Sequence, residues 1–348
     1  MRKCLVAVSL GLLCAPAWCR PSVKNLVRSF EAASAEERTR MAPVLGRARD
    51  KRATEALIAV FDIKRGQPKE STAYVEALGL SEDARAIAPL AAAWDYLRSM
   101  VLQMGELTGQ QQFLRWKVLE ALSGVGGEQA VAILAEAVND KDPRVAEEAV
   151  RGLGRLQVRE LVPVLVQMSG SATGNLRQAV FEALGDIGDK RIVATLEHAT
   201  AFPDKFVVVQ ASYALAKLGQ KQNSARLIAM LKSDPGEEKV GLMAAYYLAK
   251  LENNKGLEHL EAIMLRPESP LAPLAAEALG KTGNPRAVLV LSEALELPST
   301  SVRLTATRSL GHLGGSRAVS TLRKFSEDPN PGVRNSAIAA LTYLGEMD

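Results

Sequence analysis

The chain has 348 residues, of which 47% are hydrophobic and 5% aromatic, and its formal net charge is +4. This composition excludes a mostly disordered chain and favours an all-α fold, because Ala and Leu suit closely packed helices whereas β-sandwiches are rich in aromatic and β-branched residues. The nearly neutral charge, with no basic stripe interleaved with aromatic residues, argues against nucleic-acid binding.

The first residues predict a secretory signal peptide, residues 1–17. Arg2 and Lys3 precede an apolar run, residues 4–14, and the small residues Ala15 and Ala17 suit cleavage by a signal peptidase. The run is shorter than the roughly 20 residues that cross a bilayer, and no later segment is apolar enough, so we expect no membrane span. All 3 cysteines lie at or before position 19, which leaves no disulfide framework. We expect an exported protein, periplasmic or secreted if the source is bacterial.

Residues 18–33 are interpreted as an N-terminal capping segment and residues 34–348 as an array of repeats. A leucine recurs at intervals of 33, 44, 31, 31, 31, 33, 31, 31 and 31 residues. The recurring leucines are Leu45, Leu78, Leu122, Leu153, Leu184, Leu215, Leu248, Leu279, Leu310 and Leu341. A second leucine lies twelve residues after each of the first nine. Periods of this length indicate stacked units, each of which buries its apolar face only against its neighbours.

Each unit is predicted to be a hairpin of helix A, a short turn and helix B. In "DPRVAEEAVRGLGRL" the apolar residues follow helical spacing, and Pro143 suits the first turn of a helix. The residue after each recurring leucine is small, which predicts either a close approach between helices or an abrupt helix end. Gly185 and Gly188 are interpreted as the residues that mark the end of the first helix and the turn of one such hairpin.

The segments "DPRVAEEAVRGLG", "TSVRLTATRSLG" and "NPGVRNSAIAALT" resemble the HEAT-repeat family, specifically the short HEAT-like repeats of bilin (PBS) lyases. The resemblance runs from about residue 34 to the C-terminus. It implies an α-solenoid of about ten helical hairpins, in which an arginine after a valine, here Arg303 and Arg334, bonds across repeats. Arg115 and Arg177 fill that place after leucines. The repeats that depart from the pattern carry Ala146, Val208, Gly241 and Ala272.

No catalytic, cofactor-binding or metal-binding constellation stands out in the sequence. A HEAT-repeat relative, deoxyhypusine hydroxylase, carries His-Glu pairs that bind two irons, whereas the order here is Glu197-His198 and Glu258-His259, and His312 has no acidic neighbour. A metal centre needs several ligands that converge on one ion. We therefore predict no metal, no cofactor and no enzyme activity. The alternative is an enzyme or enzyme accessory that resembles bilin lyases or the hydroxylase, an oxidoreductase.

The 44-residue interval is the one clear break in the repeat and predicts an insertion near residues 91–113. Apolar residues there step by 3 and 4, so helix B of the second repeat is predicted to run past its usual end, with residues 105–112 as its tip. The candidate partner-binding residues on this helix are Trp94, Tyr96, Leu97, Met100 and Met104. The alternative is that this apolar patch packs on the third repeat.

We therefore predict an exported α-solenoid that acts as a scaffold and binds another protein. A polysaccharide-binding array is a third option, for which the sequence offers few aromatic platforms. The last repeat, "GVRNSAIAALTYLGEMD", lacks a second helix. An open apolar end of this kind would allow two molecules to pair end to end.

Overall fold

The computed structural model describes residues 22–105, 107–232, 236–266, 269–344 and 346. The predicted signal peptide, residues 1–17, lies outside these ranges. The described chain is all-α and contains no strand in those ranges, so the predicted fold class is confirmed. It forms two compact units, which divide after Asp189.

The first unit is a succession of helical hairpins. Its α-helices are α1 Val23–Ala32, α2 Ala35–Arg47, α3 Lys51–Val60, α4 Pro68–Leu80, α5 Ile87–Met104, α6 Gly109–Val125, α7 Glu128–Ala137, α8 Pro143–Arg155, α9 Val162–Ser171 and α10 Gly174–Ile187. Short 3-10 turns, Ala84–Ala86 and Arg159–Leu161, precede α5 and α9. The first helices of the hairpins, α2, α4, α6, α8 and α10, contact one another in this order, which is the stacking of a solenoid.

The second unit repeats this plan. It begins with a 3-10 turn, Lys190–Ile192, and α11 Val193–Ala199. The hairpins that follow are formed by α12 Lys205–Lys217, α13 Gln222–Met230, α14 Glu238–Lys250, α15 Asn254–Met264, α16 Ala272–Lys281, α17 Ala287–Ala294, α18 Thr300–Leu313, α19 Gly315–Phe325 and α20 Pro331–Leu344. Here α12, α14, α16, α18 and α20 stack in order. No helix in the described ranges combines the length and the apolar character that crossing a bilayer demands.

The recurring leucines form the cores of both units. All ten first-helix leucines are at most 1% exposed, and the nine that follow them by twelve residues are at most 2% exposed. Fully burying a leucine contributes about 1.5–3 kcal/mol. The core predicted from the period is therefore confirmed. Ahead of the first repeat, α1 packs on α2 and α3 and buries Leu26 and Phe30.

The small residue after each recurring leucine allows close contact between stacked first helices. A Cβ atom on Gly46 would lie 2.3 Å from the carbonyl oxygen of Ala77, and one on Gly79 would lie 2.6 Å from the Cα atom of Ala121. The close-approach interpretation is thus confirmed for these positions. The helix-end interpretation is wrong for Gly185, which lies inside α10, whereas Gly188 follows that helix with φ +74°.

Local sequence explains where several helices begin. Ser34 and Glu37 form a reciprocal capping box at the start of α2, in which the Ser34 amide donates to Glu37 Oε2 at 2.8 Å. Pro143 is the first residue of α8, as predicted, because its missing N–H is not needed there. Asp50 caps α3 and Asp83 caps the turn before α5 by accepting the backbone N–H two residues later.

Asp50 and Asp83 give stability a specific dependence on acid pH. Hydrogen bonds from the side chains of Arg52 and Arg85 lower the pKa of each carboxyl from 3.8 to about 2. A carboxyl with a lowered pKa stabilises the fold above its unfolded value, and that contribution is lost as the pH falls toward the folded value. We expect the stability difference between wild type and an Asp50→Asn, Asp83→Asn variant to shrink between about pH 4 and pH 2, as measured by thermal unfolding. Asp95→Asn, at an exposed carboxylate on α5, is the control, and an equal pH dependence in both variants would contradict the assignment.

Two of the arginines implied by the HEAT resemblance meet at Asp328. The Arg334 Nη1 atom donates to the Asp328 carbonyl oxygen at 2.8 Å, and the Arg303 Nε atom lies 3.6 Å from the Asp328 carboxylate. Arg115 makes the equivalent contact to Asp140 in the first unit, 2.6 Å from Nη2 to Oδ2. Arg115 and Arg303 thus link a first helix to the loop before the next repeat, whereas Arg334 bonds to the loop before its own helix.

Candidate partner-binding site

Helix α5 departs from the repeat pattern, and its end is the candidate site. It has 18 residues, whereas α3 and α7, the second helices of the neighbouring hairpins, have 10 each. The helix that follows it, α6, has 17 residues, against 13 in α4 and α8. The predicted continuation of helix B is therefore confirmed, and the extra residues lengthen both α5 and α6.

The connection between α5 and α6 is shorter than the sequence predicted. Thr108 caps α6: its amide donates to Gln111 Oε1 at 3.0 Å, and the Gln111 amide donates to Thr108 Oγ1 at 3.3 Å. This reciprocal capping box starts the helix at Gly109. The predicted tip, residues 105–112, is therefore wrong in its second half, which is helical.

Two of the five candidate residues lie in the core. Trp94 and Leu97 are each 1% exposed. The Arg115 guanidinium lies 5.2 Å from the centroid of the Trp94 ring and is itself held by Asp140. A cation over an indole face stabilises by about 0.5–2 kcal/mol. Trp94 and Leu97 thus hold α5 on the array, and a partner cannot reach them directly.

Tyr96 lines an open cleft of about 820 Å³ between α5 and the segment that follows α3. Its ring is half-buried, and the Lys64 Nζ atom lies 5.8 Å from the ring centroid. Phe61 adds apolar surface, and Asp95 is an exposed carboxylate in the same lining. The lining thus combines apolar residues with charges of both signs, as protein-binding surfaces do.

The last turn of α5 presents large apolar side chains to solvent. Met100 is half-buried, with its Sδ atom 4.0 Å from Gln111 Nε2, whereas Met104 is 66% exposed. Leu102 is 79% exposed, and it was missed because it lies outside the 3-4 spacing of the buried seam. We call Leu102 and Met104 the α5 end.

Charged side chains near α6 are tied into the fold. The Lys117 Nζ atom lies 2.8 Å from Glu76 and 3.0 Å from Glu120. Burial alone lowers the pKa of Lys117, but the two carboxylates more than offset it, so that the pKa is raised. Lys117 therefore stays a cation that joins α4 to α6 and is poorly suited to act as a base.

The three histidines lie on three different helices. His198 on α11 and His312 on α18 are exposed, and His259 on α15 is half-buried. Burial, together with Arg266, lowers the pKa of His259. The described part of the chain has no group of three or more His, Cys, Asp and Glu that could hold a metal ion. The residues described thus do not fit the two-iron site implied by the hydroxylase resemblance.

Stacked helical hairpins with a recurring leucine core and close glycine contacts define an α-solenoid repeat protein. A family model described as HEAT repeats matches residues 107–180, 133–216, 162–239 and 271–342. Together these matches cover more than half of the sequence, and the chain belongs to the HEAT-repeat family. The recognition made from the sequence is confirmed.

Among curated proteins the chain is similar to deoxyhypusine hydroxylase of Bos taurus, with 30% identity over 97 residues. That match covers 27% of this chain and 32% of the relative, so the chain spans about a third of the relative's length. Solved structures that are similar include human deoxyhypusine hydroxylase with glycerol, at 21% identity and a TM-score of 0.40, covering 73% of this chain and 97% of that one. The CpcE–CpcF complex of phycocyanin lyase from Nostoc sp. has 20% identity and a TM-score of 0.42. This match covers 78% of this chain and 92% of that one. At these identities the structural likeness concerns the fold alone.

The prediction that the protein is not an enzyme is wrong on this comparison. The curated relative that matches at 30% identity is a hydroxylase. The prediction was drawn from the lack of short catalytic motifs. A solenoid can bring reactive groups together from several repeats, so that no compact motif is needed.

Proposed function

We propose that this HEAT-repeat protein is a scaffold that binds another protein, and that the α5 end is part of the contact surface. The observation that carries the proposal is the exposure of Leu102 and Met104, 79% and 66%, at the place where the repeat is broken. Because they are two residues apart, Leu102 and Met104 point to different sides of the helix and expose apolar surface around its end. Exposed apolar surface of this kind is a feature of interaction sites.

The cleft beside Tyr96 supports the same proposal. It lies along the same helix as the α5 end, and its volume of about 820 Å³ can take an aromatic or aliphatic anchor. Met100 lies between the two on α5. The partner that suits this surface is an amphipathic helix, whose apolar residues recur every three or four positions and so follow α5.

Carboxylates placed at the α5 end are expected to reduce partner recovery strongly. An interface that buries Leu102 and Met104 would have to desolvate the new charge. The tagged mature chain would be crosslinked in its own host, and the recovered proteins compared for wild type and for Leu102→Glu with Met104→Glu. We expect the recovered amount of the specific partner to fall by about tenfold or more. A loss of about 1.4 kcal/mol of binding free energy is enough for a tenfold change in affinity. Circular dichroism should stay unchanged because both residues are exposed.

Leu274→Glu is the matched control. Leu274 is a 44% exposed leucine on α16, in the second unit, and the same substitution there should leave recovery unchanged. Equal recovery with the α5 variant and with wild type would contradict the proposed surface. Equal loss with both variants would show an unspecific effect of charge.

A second candidate function is that of an enzyme or enzyme accessory of the hydroxylase or lyase kind, which the 30% identity to deoxyhypusine hydroxylase favours. Its test is elemental analysis and an absorption spectrum of the purified protein. Stoichiometric iron or a bound chromophore would support this candidate.

We also propose that the protein is exported, on the pattern of residues 1–17. N-terminal sequencing of the mature protein should begin near residue 18, whereas an intact Met1 would overturn the proposal. End-to-end pairing through α20 stays a prediction, and light scattering that gives the mass of one chain would contradict it.

A further inference from the structure

The groove between α18 and α20 carries polar side chains that make no hydrogen bond to the rest of the described chain. It has a volume of about 530 Å³. Arg308 and His312 line it from α18, and Asn335 and Ser336 line it from α20. None of these four side chains takes part in an ion pair or a hydrogen bond with the described residues. No carboxylate lies among the lining residues.

The repeat explains why Arg308 is unpaired. The position two residues before the recurring leucine carries charges that pair between stacked helices in the first unit. Arg151 of α8 and Glu182 of α10 occupy it, with 2.9 Å between Nη1 and Oε2. The equivalent residues of α18 and α20 are Arg308 and Ala339. The arginine is retained and meets a methyl group on the α20 side, whereas Glu277, the equivalent residue of α16, pairs with Lys281 of its own helix at 2.6 Å.

The charged side chain in the lining of the groove is an arginine, Arg308. Of the other cations in residues 300–344, Arg323 and Lys324 pair with Glu346 and Glu296. Asp328 already lies 3.6 Å from Arg303. The groove also has apolar walls, formed by Leu304 and by Tyr343, which is 45% exposed. It thus offers donors for an anion next to a surface for an aliphatic side chain.

We propose that this groove binds an acidic segment of a partner protein. A Glu or Asp carboxylate of the segment accepts hydrogen bonds from Arg308 and His312, and a neighbouring apolar side chain packs on Leu304 and Tyr343. The carboxylate takes the place that the Glu182 side chain takes beside Arg151 in the first unit. A guanidinium fork matches a carboxylate in charge and in geometry. The site is in the second unit and does not depend on the α5 end.

A labelled peptide of alternating Glu and Leu tests this proposal by fluorescence anisotropy with the full mature chain. The Gln-Leu peptide of the same length is the neutral probe. We expect the acidic peptide to bind about tenfold more tightly or better, and Arg308→Gln to remove that preference. Arg317→Gln is the matched control, since Arg317 is an exposed arginine on α19 outside the groove. The affinity of this variant for the acidic peptide should stay within about twofold of wild type.

Ala339→Glu provides a second test that does not remove a native group. Ala339 is exposed, so the new carboxylate can pair with Arg308 without disturbing the core. We expect this variant to unfold at the wild-type temperature or above and to lose the acidic peptide. Wild-type affinity in both Arg308→Gln and Ala339→Glu would overturn the proposal. Equal binding of the two peptides, or inorganic phosphate that binds where neither peptide does, would overturn it as well.

Discussion

Replacing Leu291 by Ala is expected to lower the free energy of unfolding by about 2–5 kcal/mol. Leu291 is 0% exposed on α17 and belongs to the core of the second unit. The substitution loses the transfer free energy of the removed carbons and leaves a cavity that packed helices cannot fill. Because a repeat is held only by its neighbours, the loss weakens the contacts on both sides of this hairpin. Urea denaturation followed by circular dichroism measures it.

Leu289→Ala is the control for this prediction. Leu289 lies on the same helix, two residues earlier, and is 41% exposed. The same chemical change there should alter stability by no more than about 0.5 kcal/mol. Equal losses in the two variants would contradict the assignment of the recurring leucine to the core. Leu184 and Leu215, which are at most 1% exposed on first helices, should behave like Leu291.

The fold was predictable because burial repeats along the chain. A leucine that returns every 31 residues with a second one twelve residues later can be buried each time only if identical hairpins stack. The small residue after each recurring leucine indicates that stacked helices lie close together. The 44-residue interval indicates that α5 is extended. These features depend on sequence spacing alone.

The partner-binding surface was predictable only in part, because spacing identifies the buried seam of a helix. Trp94 and Leu97 belong to that seam, and the structure places them in the core beneath Arg115. Leu102 lies off the seam, and for that reason it is exposed and available to a partner. Aromatic character and helical spacing therefore selected buried members of α5, whereas Met104, at the end of the seam, is 66% exposed.

The acidic-segment groove needed the structure for a different reason. Its signal, Arg308 followed one repeat later by Ala339, can be read from the aligned repeats. This pair of residues indicates a binding groove only when the structure shows that the equivalent residues Arg151 and Glu182 pair across neighbouring helices. The pairing register of two stacked helices depends on their separation and rotation, which no single repeat encodes.

Replacing Gly46 by Ala is expected to lower the free energy of unfolding by about 1–3 kcal/mol, although Ala is the better helix former by about 1 kcal/mol. The new Cβ atom would lie 2.3 Å from the Ala77 carbonyl oxygen and 2.9 Å from its Cα atom. These atoms belong to the backbone of α4, so α2 and α4 must separate along their contact. The lost packing outweighs the gain in propensity.

Gly170→Ala separates the two effects on stability. Gly170 lies inside α9, and a Cβ atom there meets no other atom within 4 Å. Only the gain in helix propensity and the reduced freedom of the unfolded chain remain, so this variant should be more stable by about 0.4–1 kcal/mol. The same substitution thus has opposite signs at two helical glycines of one unit, and thermal unfolding of both variants measures it. If Gly46→Ala were also stabilising, α2 and α4 would have to lie farther apart than described, and the small residue after each recurring leucine would no longer be explained by close helix contact.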